Sequence, residues 1–191
     1  MGKDRMAAFS DGVIAILITI MVLELNPPND PTLESLRPLA PVFVSYVLSF
    51  LFLGIYWTNH HHLLVVVDQV DGRTLWANLH LLFWLSLIPF GTHWLGLTSF
   101  ASLPVALYGA DLLLAAVAYY ILVRSLIARH GDASVLATAI GGDFKGKASI
   151  VVYAAAIPVA FAAPLLAYCF YVAVALWWLV PDRRIENKVV G

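Results

Sequence analysis

Long apolar runs restrict the fold of this chain more than any other feature. A transmembrane helix needs about 20 consecutive, mostly apolar residues, because the hydrocarbon core is about 30 Å thick and a helix rises about 1.5 Å per residue. The sequence holds five runs of roughly that length or longer, at residues 7–25, 41–64, 75–97, 103–127 and 148–180. The composition agrees, since 61% of the residues are hydrophobic and only 12% are charged, whereas soluble domains carry about 25% charged residues. The sequence therefore predicts an all-α integral membrane protein.

The last apolar run is too long for one span. It covers 33 residues and contains Pro158 and Pro164, which favour a break in a helix. Dividing the run gives two short spans, 148–161 and 164–180. We therefore expect one six-span domain over residues 1–191, with spans at about 7–25, 41–64, 75–97, 103–127, 148–161 and 164–180.

The distribution of basic residues predicts the topology. With the N-terminus in the cytoplasm and six spans, ten of the eleven basic residues face the cytoplasm, and only Arg37 lies outside. The ten are Lys3, Arg5, Arg73, Arg124, Arg129, Lys145, Lys147, Arg183, Arg184 and Lys188. This arrangement obeys the positive-inside rule, which five spans would violate at the C-terminus. We expect both termini in the cytoplasm and the first run as a retained helix, because it is too long for a signal peptide and lacks a cleavage pattern.

Several classes of function are disfavoured by the sequence. A net charge of −1 gives no basic stripe for nucleic acid. Cys169 is the only cysteine, so an intrachain disulfide is impossible and a small apolar role is expected. The sequence lacks a paired nucleophile and base and a plausible metal-ligand set, so it does not indicate an enzyme. We therefore expect no cofactor.

A run of three histidines, His60-His61-His62, raises the question of a metal site. Adjacent residues on a helix point about 100° apart, so these three side chains do not readily converge on one ion. We expect them to form structural or interfacial hydrogen bonds, and a role in sensing pH stays open.

The opening segment, Arg5-Met6-Ala7-Ala8-Phe9-Ser10-Asp11, places an acid at the inner mouth of the first span. An acidic side chain at membrane depth is costly and usually faces protein or water. Ser10 and Asp11 therefore either cap and lock the helix near the cytoplasmic surface or shape the entrance of a pathway. The residues alone leave both readings open.

This segment resembles the signature of a known family. The pattern Arg-x-x-x-Phe-Ser-Asp, formed by Arg5, Phe9, Ser10 and Asp11, looks like that of the transmembrane protein 175 family of potassium channels. The run Leu53-Gly54-Ile55-Tyr56-Trp57-Thr58-Asn59-His60-His61-His62 is similar to that family's second helix. A chain with one six-span repeat resembles the prokaryotic form, which implies a homotetramer around a central pore and a prokaryotic plasma membrane.

The resemblance also implies roles for residues of the first span. In that family the first helices line the pore and the signature packs their inner ends. The positions matching the hydrophobic constriction and a further apolar layer are Ile16 and Leu23, with Ile20 on the same stripe. The position matching the hydroxyl ring linked to selectivity is Thr19.

Spacing alone is compatible with these roles without requiring them. Ile16, Ile20 and Leu23 follow i, i+4, i+7 and share one helix face, which suits lipid contact or packing as well as a pore. Thr19 can instead bond to a carbonyl of its own helix. Symmetric copies of such a face could enclose a pathway. Glu24 is expected at the outer mouth, where it either attracts cations or is simply solvated, and Asp111 in the outer half of the fourth span.

The prediction for function is a potassium-selective cation channel that self-associates in the lipid bilayer. The alternative is a secondary transporter or proton-coupled carrier that uses Asp11, although the sequence lacks clear broken helices and inverted repeats. No arginine-repeat helix indicates a voltage sensor.

Overall fold

The computed structural model describes residues 2–131 and 134–179, apart from the side chain of Ala139. The predicted cytoplasmic C-terminus, with Arg183, Arg184 and Lys188, lies outside the described residues. The same holds for Val180, the predicted end of the last span.

The described chain is helical, with seven α-helices and one 3-10 helix. They are α1 (Asp4–Val22), the 3-10 helix (Glu34–Leu39), α2 (Ala40–Val65), α3 (Gly72–Leu97), α4 (Ser102–His130), α5 (Val135–Ile140), α6 (Phe144–Ala162) and α7 (Pro164–Leu179). Within the described residues, α1, α2, α3, α4 and α6 are long and apolar enough to cross a membrane. Helix α7 is also apolar but has 16 residues.

The helix ends follow local chemistry. Helix α3 begins after Asp71, whose carboxylate accepts a hydrogen bond from the Thr74 backbone N–H at 2.9 Å. This bond and a second one from the Thr74 hydroxyl lower the pKa of Asp71, which lies outside the span. Helix α6 is capped in the same way by Asp143. Non-helical backbone at Ala163, followed by Pro164, separates α6 from α7.

Helix α4 lies at the centre of the bundle. It packs mainly against α3 and α6, and its side chains from Val105 to Ile127 form the largest buried set of any helix. Glycines allow the close approach of neighbouring helices at two points. A Cβ on Gly96 would lie 2.6 Å from the Cα of Val42, and one on Gly109 would collide with the Tyr171 hydroxyl.

Contacts between helix ends align α1 to α4 in one bundle. The Lys3 ammonium group donates to the Val65 carbonyl at 3.2 Å, and the Arg129 guanidinium donates to the Gln69 side chain at 3.2 Å. The start of α1, the α2–α3 turn and the end of α4 therefore meet at one end of the bundle, which we call the basic end. Arg37 belongs to the connector at the opposite end.

Candidate pore helix and its contacts

Helix α1 has one face packed against the rest of the chain and one face that no other described residue covers. The packed face carries Met6, Ser10, Ile14, Leu17 and Met21, all buried. These positions recur at helical spacing and contact α2 and α3. The opposite face carries Phe9, Ile16, Thr19, Ile20 and Leu23, all exposed. The described part of the chain therefore leaves an apolar stripe of α1 uncovered.

The three apolar positions singled out by the resemblance lie on this uncovered stripe. The side chains of Ile16, Ile20 and Leu23 are 57%, 42% and 74% exposed. Leu23 lies one residue beyond the last residue of α1 and keeps helical dihedral angles, so it extends the stripe at the helix end. Ile18, two residues from Ile16, is instead half-buried against the core.

The Thr19 hydroxyl is exposed and bonded to its own helix. It lies 2.9 Å from the Ile16 carbonyl oxygen and 3.1 Å from the Ala15 carbonyl oxygen. A hydroxyl has one hydrogen and two acceptor lone pairs. Because the hydrogen is directed at the backbone, the lone pairs of Thr19 point away from the helix. The arrangement presents an acceptor on the uncovered stripe, which is the polarity that a cation requires.

A buried chain of polar groups connects α1, α2 and α3. The Asn78 amide donates to the Ser10 hydroxyl oxygen at 2.9 Å, and the Ser10 hydroxyl donates to the Met6 carbonyl at 2.8 Å. The Asn78 amide oxygen lies 2.8 Å from Nε2 of His60. Ser10, Asn78 and His60 are at most 2% exposed, so each bond replaces one that water would otherwise supply. The chain fixes the rotation of α1 about its axis.

A second contact joins the signature to α2, one residue further along α1 than the Ser10–Asn78 bond. The indole N–H of Trp57 donates to a carboxylate oxygen of Asp11 at 2.9 Å. Arg5 is exposed, and no ion pair between Arg5 and Asp11 occurs among the described residues. The structure therefore gives Asp11 a partner on α2 of the same chain rather than the arginine of the signature.

A further hydroxyl cluster lies in the outer half of the bundle. The Thr92 hydroxyl lies 2.5 Å from the Ser49 hydroxyl, which lies 2.7 Å from the Tyr108 hydroxyl. The Ser45 hydroxyl donates to the Thr92 carbonyl at 3.1 Å. The cluster holds α2, α3 and α4 together, and all four of these side chains are buried.

The remaining candidate residues are the three histidines towards the basic end of the bundle, and Glu24 and Asp111 in its opposite half. His61 stacks on Trp57, and only His60 of the three histidines is buried. No group of three or more metal-ligating side chains occurs among the described residues. At the other end Glu24 lies 2.8 Å from Nδ1 of His93. The Asp111 carboxylate is shielded and has no hydrogen-bond partner in the described part of the chain.

Sequence reasoning missed Asn78 and the outer hydroxyl cluster. Asn78 is an amide inside the apolar run 75–97, and that isolated polar residue was a usable signal, because polar groups within a span need partners. Ser45, Ser49 and Thr92 gave no comparable signal. A hydroxyl in a transmembrane helix can bond to its own backbone, so the sequence does not reveal that these three reach neighbouring helices.

Comparison with known proteins finds a family and several relatives that are similar to this chain. The profile of the family described as "Endosomal/lysosomal potassium channel TMEM175" matches residues 5–89, which include the signature and the buried polar chain. A protein of Chryseobacterium sp. (strain P1-3) named as a potassium channel is 51% identical over 189 residues, covering 99% of this chain and 98% of that protein.

The fold also has a solved counterpart. The crystal structure of a lysosomal potassium-selective channel TMEM175 homolog from Chamaesiphon minutus superposes with a TM-score of 0.81 at 26% identity. The match covers 94% of this chain and 97% of that one. A Gallus gallus protein named as the endosomal/lysosomal proton channel TMEM175 is 34% identical over 81 residues, which are 36% of this chain and 16% of that protein.

Proposed function

This chain belongs to the TMEM175 family of ion channels, and we propose that it forms a homotetrameric potassium channel whose four α1 helices enclose the pathway. A relative that matches almost the whole chain is named as a potassium channel, and a solved structure of similar fold is titled a potassium-selective channel. The protein is therefore a membrane channel and not an enzyme. The pore lining, the subunit number and the prokaryotic plasma membrane are parts of the proposal.

The uncovered stripe of α1 is the observation that supports this proposal most. A face of one subunit cannot enclose a pathway, but symmetric copies of it can. Ile16, Thr19 and Leu23 are exposed in the subunit, whereas the opposite face of the same helix is fully packed. Lipid could also cover three apolar positions. The exposed Thr19 hydroxyl adds a hydrogen-bond acceptor to this stripe, which contact with lipid alone does not use.

The chemistry of the stripe fits a gated cation pathway. A narrow ring of Ile16 side chains would resist wetting, and such a constriction controls conduction. A ring of Thr19 oxygens one turn away would replace part of the hydration shell of a passing potassium ion. Ile20 and Leu23 would continue the apolar lining towards the outer mouth.

The signature residues position this stripe. Ser10 and Asp11 face partners on α3 and α2, which leaves Ile16 and Thr19 on the free side of the same helix. We infer that Phe9, exposed at 54%, and Arg5 contact neighbouring subunits at the inner mouth. Because Asp11 is held by Trp57, its proposed role is a structural lock rather than the proton carrier of a transporter.

Topology can be tested independently of ion flow. The proposal places Asp30 outside the cell and Gly142 in the cytoplasm. Asp30→Cys and Gly142→Cys would be made in a Cys169→Ala background and labelled in intact cells with a membrane-impermeant thiol reagent. Labelling at position 30 alone is expected. Labelling at position 142 alone would invert the topology.

The function itself is tested by recording the purified protein in a planar bilayer. We expect discrete single-channel steps and a reversal potential that follows the potassium gradient when potassium and sodium are placed on opposite sides. Flux without discrete steps that requires a proton gradient would instead identify a proton-coupled carrier.

A further inference from the structure

Asp111 is a shielded acid on the central helix that the proposed pathway does not use. It is the only charged residue between Ser102 and Val123 of α4. At about 1.5 Å per residue, its backbone lies about 14 Å along the helix from Ser102 at the outer end. The acid therefore lies within the apolar run of this span, at a depth where a charged group is costly.

The carboxylate of Asp111 differs from the polar groups around it in having no partner. Both of its oxygens are shielded from solvent, and neither has a hydrogen-bond partner among the described residues. The hydroxyls of Ser49, Thr92 and Tyr108, in the same half of the bundle, are bonded to one another. An ionised carboxylate at such a site loses its hydration without gaining other bonds, and such a group usually becomes neutral instead.

The ionisable groups that face Asp111 from α2 and from its own helix are phenols. Tyr56 of α2 and Tyr108 of α4 are close enough to sense a charge on the carboxylate. A phenol is neutral at physiological pH. Neither side chain therefore supplies a positive charge that would stabilise an ionised Asp111.

The other helices that pack against α4 supply no cation either. In the outer half of α3 the one basic side chain is His93, which lies 2.8 Å from Glu24. Helix α5 has no ionisable residue, and the two lysines of α6 lie in its first turn, at the basic end. The ionisable side chains of α7 are tyrosines and Cys169. Within the described residues, no charged side chain acts on the Asp111 carboxylate.

We propose that Asp111 is a proton-binding site of the bundle, occupied at neutral pH by a proton that keeps its carboxyl group uncharged. Loss of the proton would place an unpaired negative charge near Tyr108, which joins α4 to α2 through the Ser49 hydroxyl. The Thr92 hydroxyl of the same cluster lies 3.9 Å from the sulfur of Met21 on α1. Occupancy of the site would therefore affect the contacts of α4 and, through this cluster, the packing of α1.

The bound proton makes the stability of the protein depend on pH. An aspartate in the unfolded chain is ionised at neutral pH, whereas the folded protein keeps the proton on Asp111. The folded state therefore binds one proton more than the unfolded state. The unfolding equilibrium constant should rise by up to about tenfold for each unit of increasing pH, until the folded carboxyl group also ionises.

The direct test is infrared spectroscopy of the purified wild type and of Asp111→Asn at neutral pH. A protonated carboxylic acid gives a carbonyl stretching band that is separate from the bands of carboxylates and amides. We expect such a band in the wild type, shifted in heavy water and absent from Asp111→Asn. Asp30→Asn is the control, because it changes an exposed aspartate at the outer end and should keep the band.

Thermal unfolding in detergent provides a second measurement. As the pH rises from neutral to alkaline values, the wild type should lose stability more steeply than Asp111→Asn, because asparagine binds no proton. All other titratable groups are the same in the two proteins, so the difference between their pH profiles isolates position 111. Parallel profiles would contradict the proposal.

The infrared outcomes decide the proposal without reference to ion flow. A wild type without the acid band at neutral pH, or a band that persists in Asp111→Asn, would overturn the proton site. If Asp111→Asn did not yield folded protein, Asp111→Glu would decide, since it keeps an acid and should show the band at a shifted frequency. An unshifted band in Asp111→Glu would assign the proton to another residue. Failure of the channel proposal would leave these results unchanged.

Discussion

The Trp57 indole and the Asp11 carboxylate meet across 2.9 Å and join α2 to α1 at the point where the signature ends. The bond gives an acidic side chain near the membrane the partner that it needs. Its neighbour Ser10 is held by Asn78 on the other side. Two consecutive residues of α1 are thus fixed by two different helices, and the rotation of the free stripe is set by these bonds.

Removing the Asp11 acceptor should weaken assembly. We expect Asp11→Ala to lower the tetramer fraction in size-exclusion chromatography, because α1 then loses its anchor to α2. Asp11→Asn should retain most of the tetramer, since an amide oxygen can still accept from the indole. Trp57→Phe should reproduce the loss, and the double variant should be no worse than either single one. A wild-type tetramer yield for Asp11→Ala would show that the contact does not support assembly.

Breaking the buried polar chain should reduce stability. Asn78→Leu leaves the Ser10 and His60 side chains without their shared partner, which should cost about 1–3 kcal/mol. Thermal unfolding in detergent measures the change. Ser86→Ala on the same helix is the control, because its exposed hydroxyl bonds to the Phe83 carbonyl of its own helix. Equal unfolding temperatures for Asn78→Leu and Ser86→Ala would contradict the proposed role.

Gly96, at the contact between α2 and α3, should be required for full stability. A methyl group on Gly96 would lie 2.6 Å from the Val42 backbone, so Gly96→Ala must push two helices apart and should cost about 1–3 kcal/mol. Gly54→Ala on α2 should leave the unfolding temperature unchanged or raise it, because no atom lies within 4 Å of the added carbon. The reverse order of stability would mean that the two helices do not approach in this way.

The sequence predicts those features of the fold that depend on interactions between residues close in the chain. Apolar runs and prolines locate the helices within a few residues, since hydropathy and backbone restrictions are local properties. The run 148–180 illustrates this, because its division near Pro164 corresponds to the end of α6 at Ala162 and the start of α7. The 3-10 helix at Glu34–Leu39 was not predicted, because its bonds are short-range and its apolar pattern is weak.

Contacts between side chains of different helices are harder to predict from the sequence. The acid Asp11 was visible as a residue needing a partner, but nothing in the spacing of 46 residues identifies Trp57 as that partner. The exposed face of α1 likewise depends on what α2 and α3 cover. The resemblance to a family supplied the stripe of Ile16, Thr19 and Leu23, and the packing of α2 and α3 on the other face explains why no described residue covers it.

Selectivity should depend on the Thr19 oxygen. Thr19→Ala should lower the potassium-to-sodium permeability ratio more than the total current, because the ion loses a ligand while the pathway becomes no narrower. Thr19→Ser keeps a hydroxyl that can bond the helix backbone in the same way and should keep the ratio. Reversal potentials under mixed potassium and sodium measure both variants. An unchanged ratio in Thr19→Ala would assign the hydroxyl to its helix alone.

The proposal that α1 lines the pathway is tested most directly by single-channel recording of Ile16 variants in a planar bilayer. Ile16→Ala and Ile16→Asn should raise the basal open probability, with Asn having the larger effect, because wetting of a constriction depends on its radius and its polarity. Ile16→Phe should suppress current without loss of assembly. Ile18→Ala is the control, since Ile18 packs against the hydrophobic core of the same chain. Altered conduction in the Ile16 variants with unaltered conduction in Ile18→Ala is the predicted result, and the opposite pattern would contradict a pathway lined by this face.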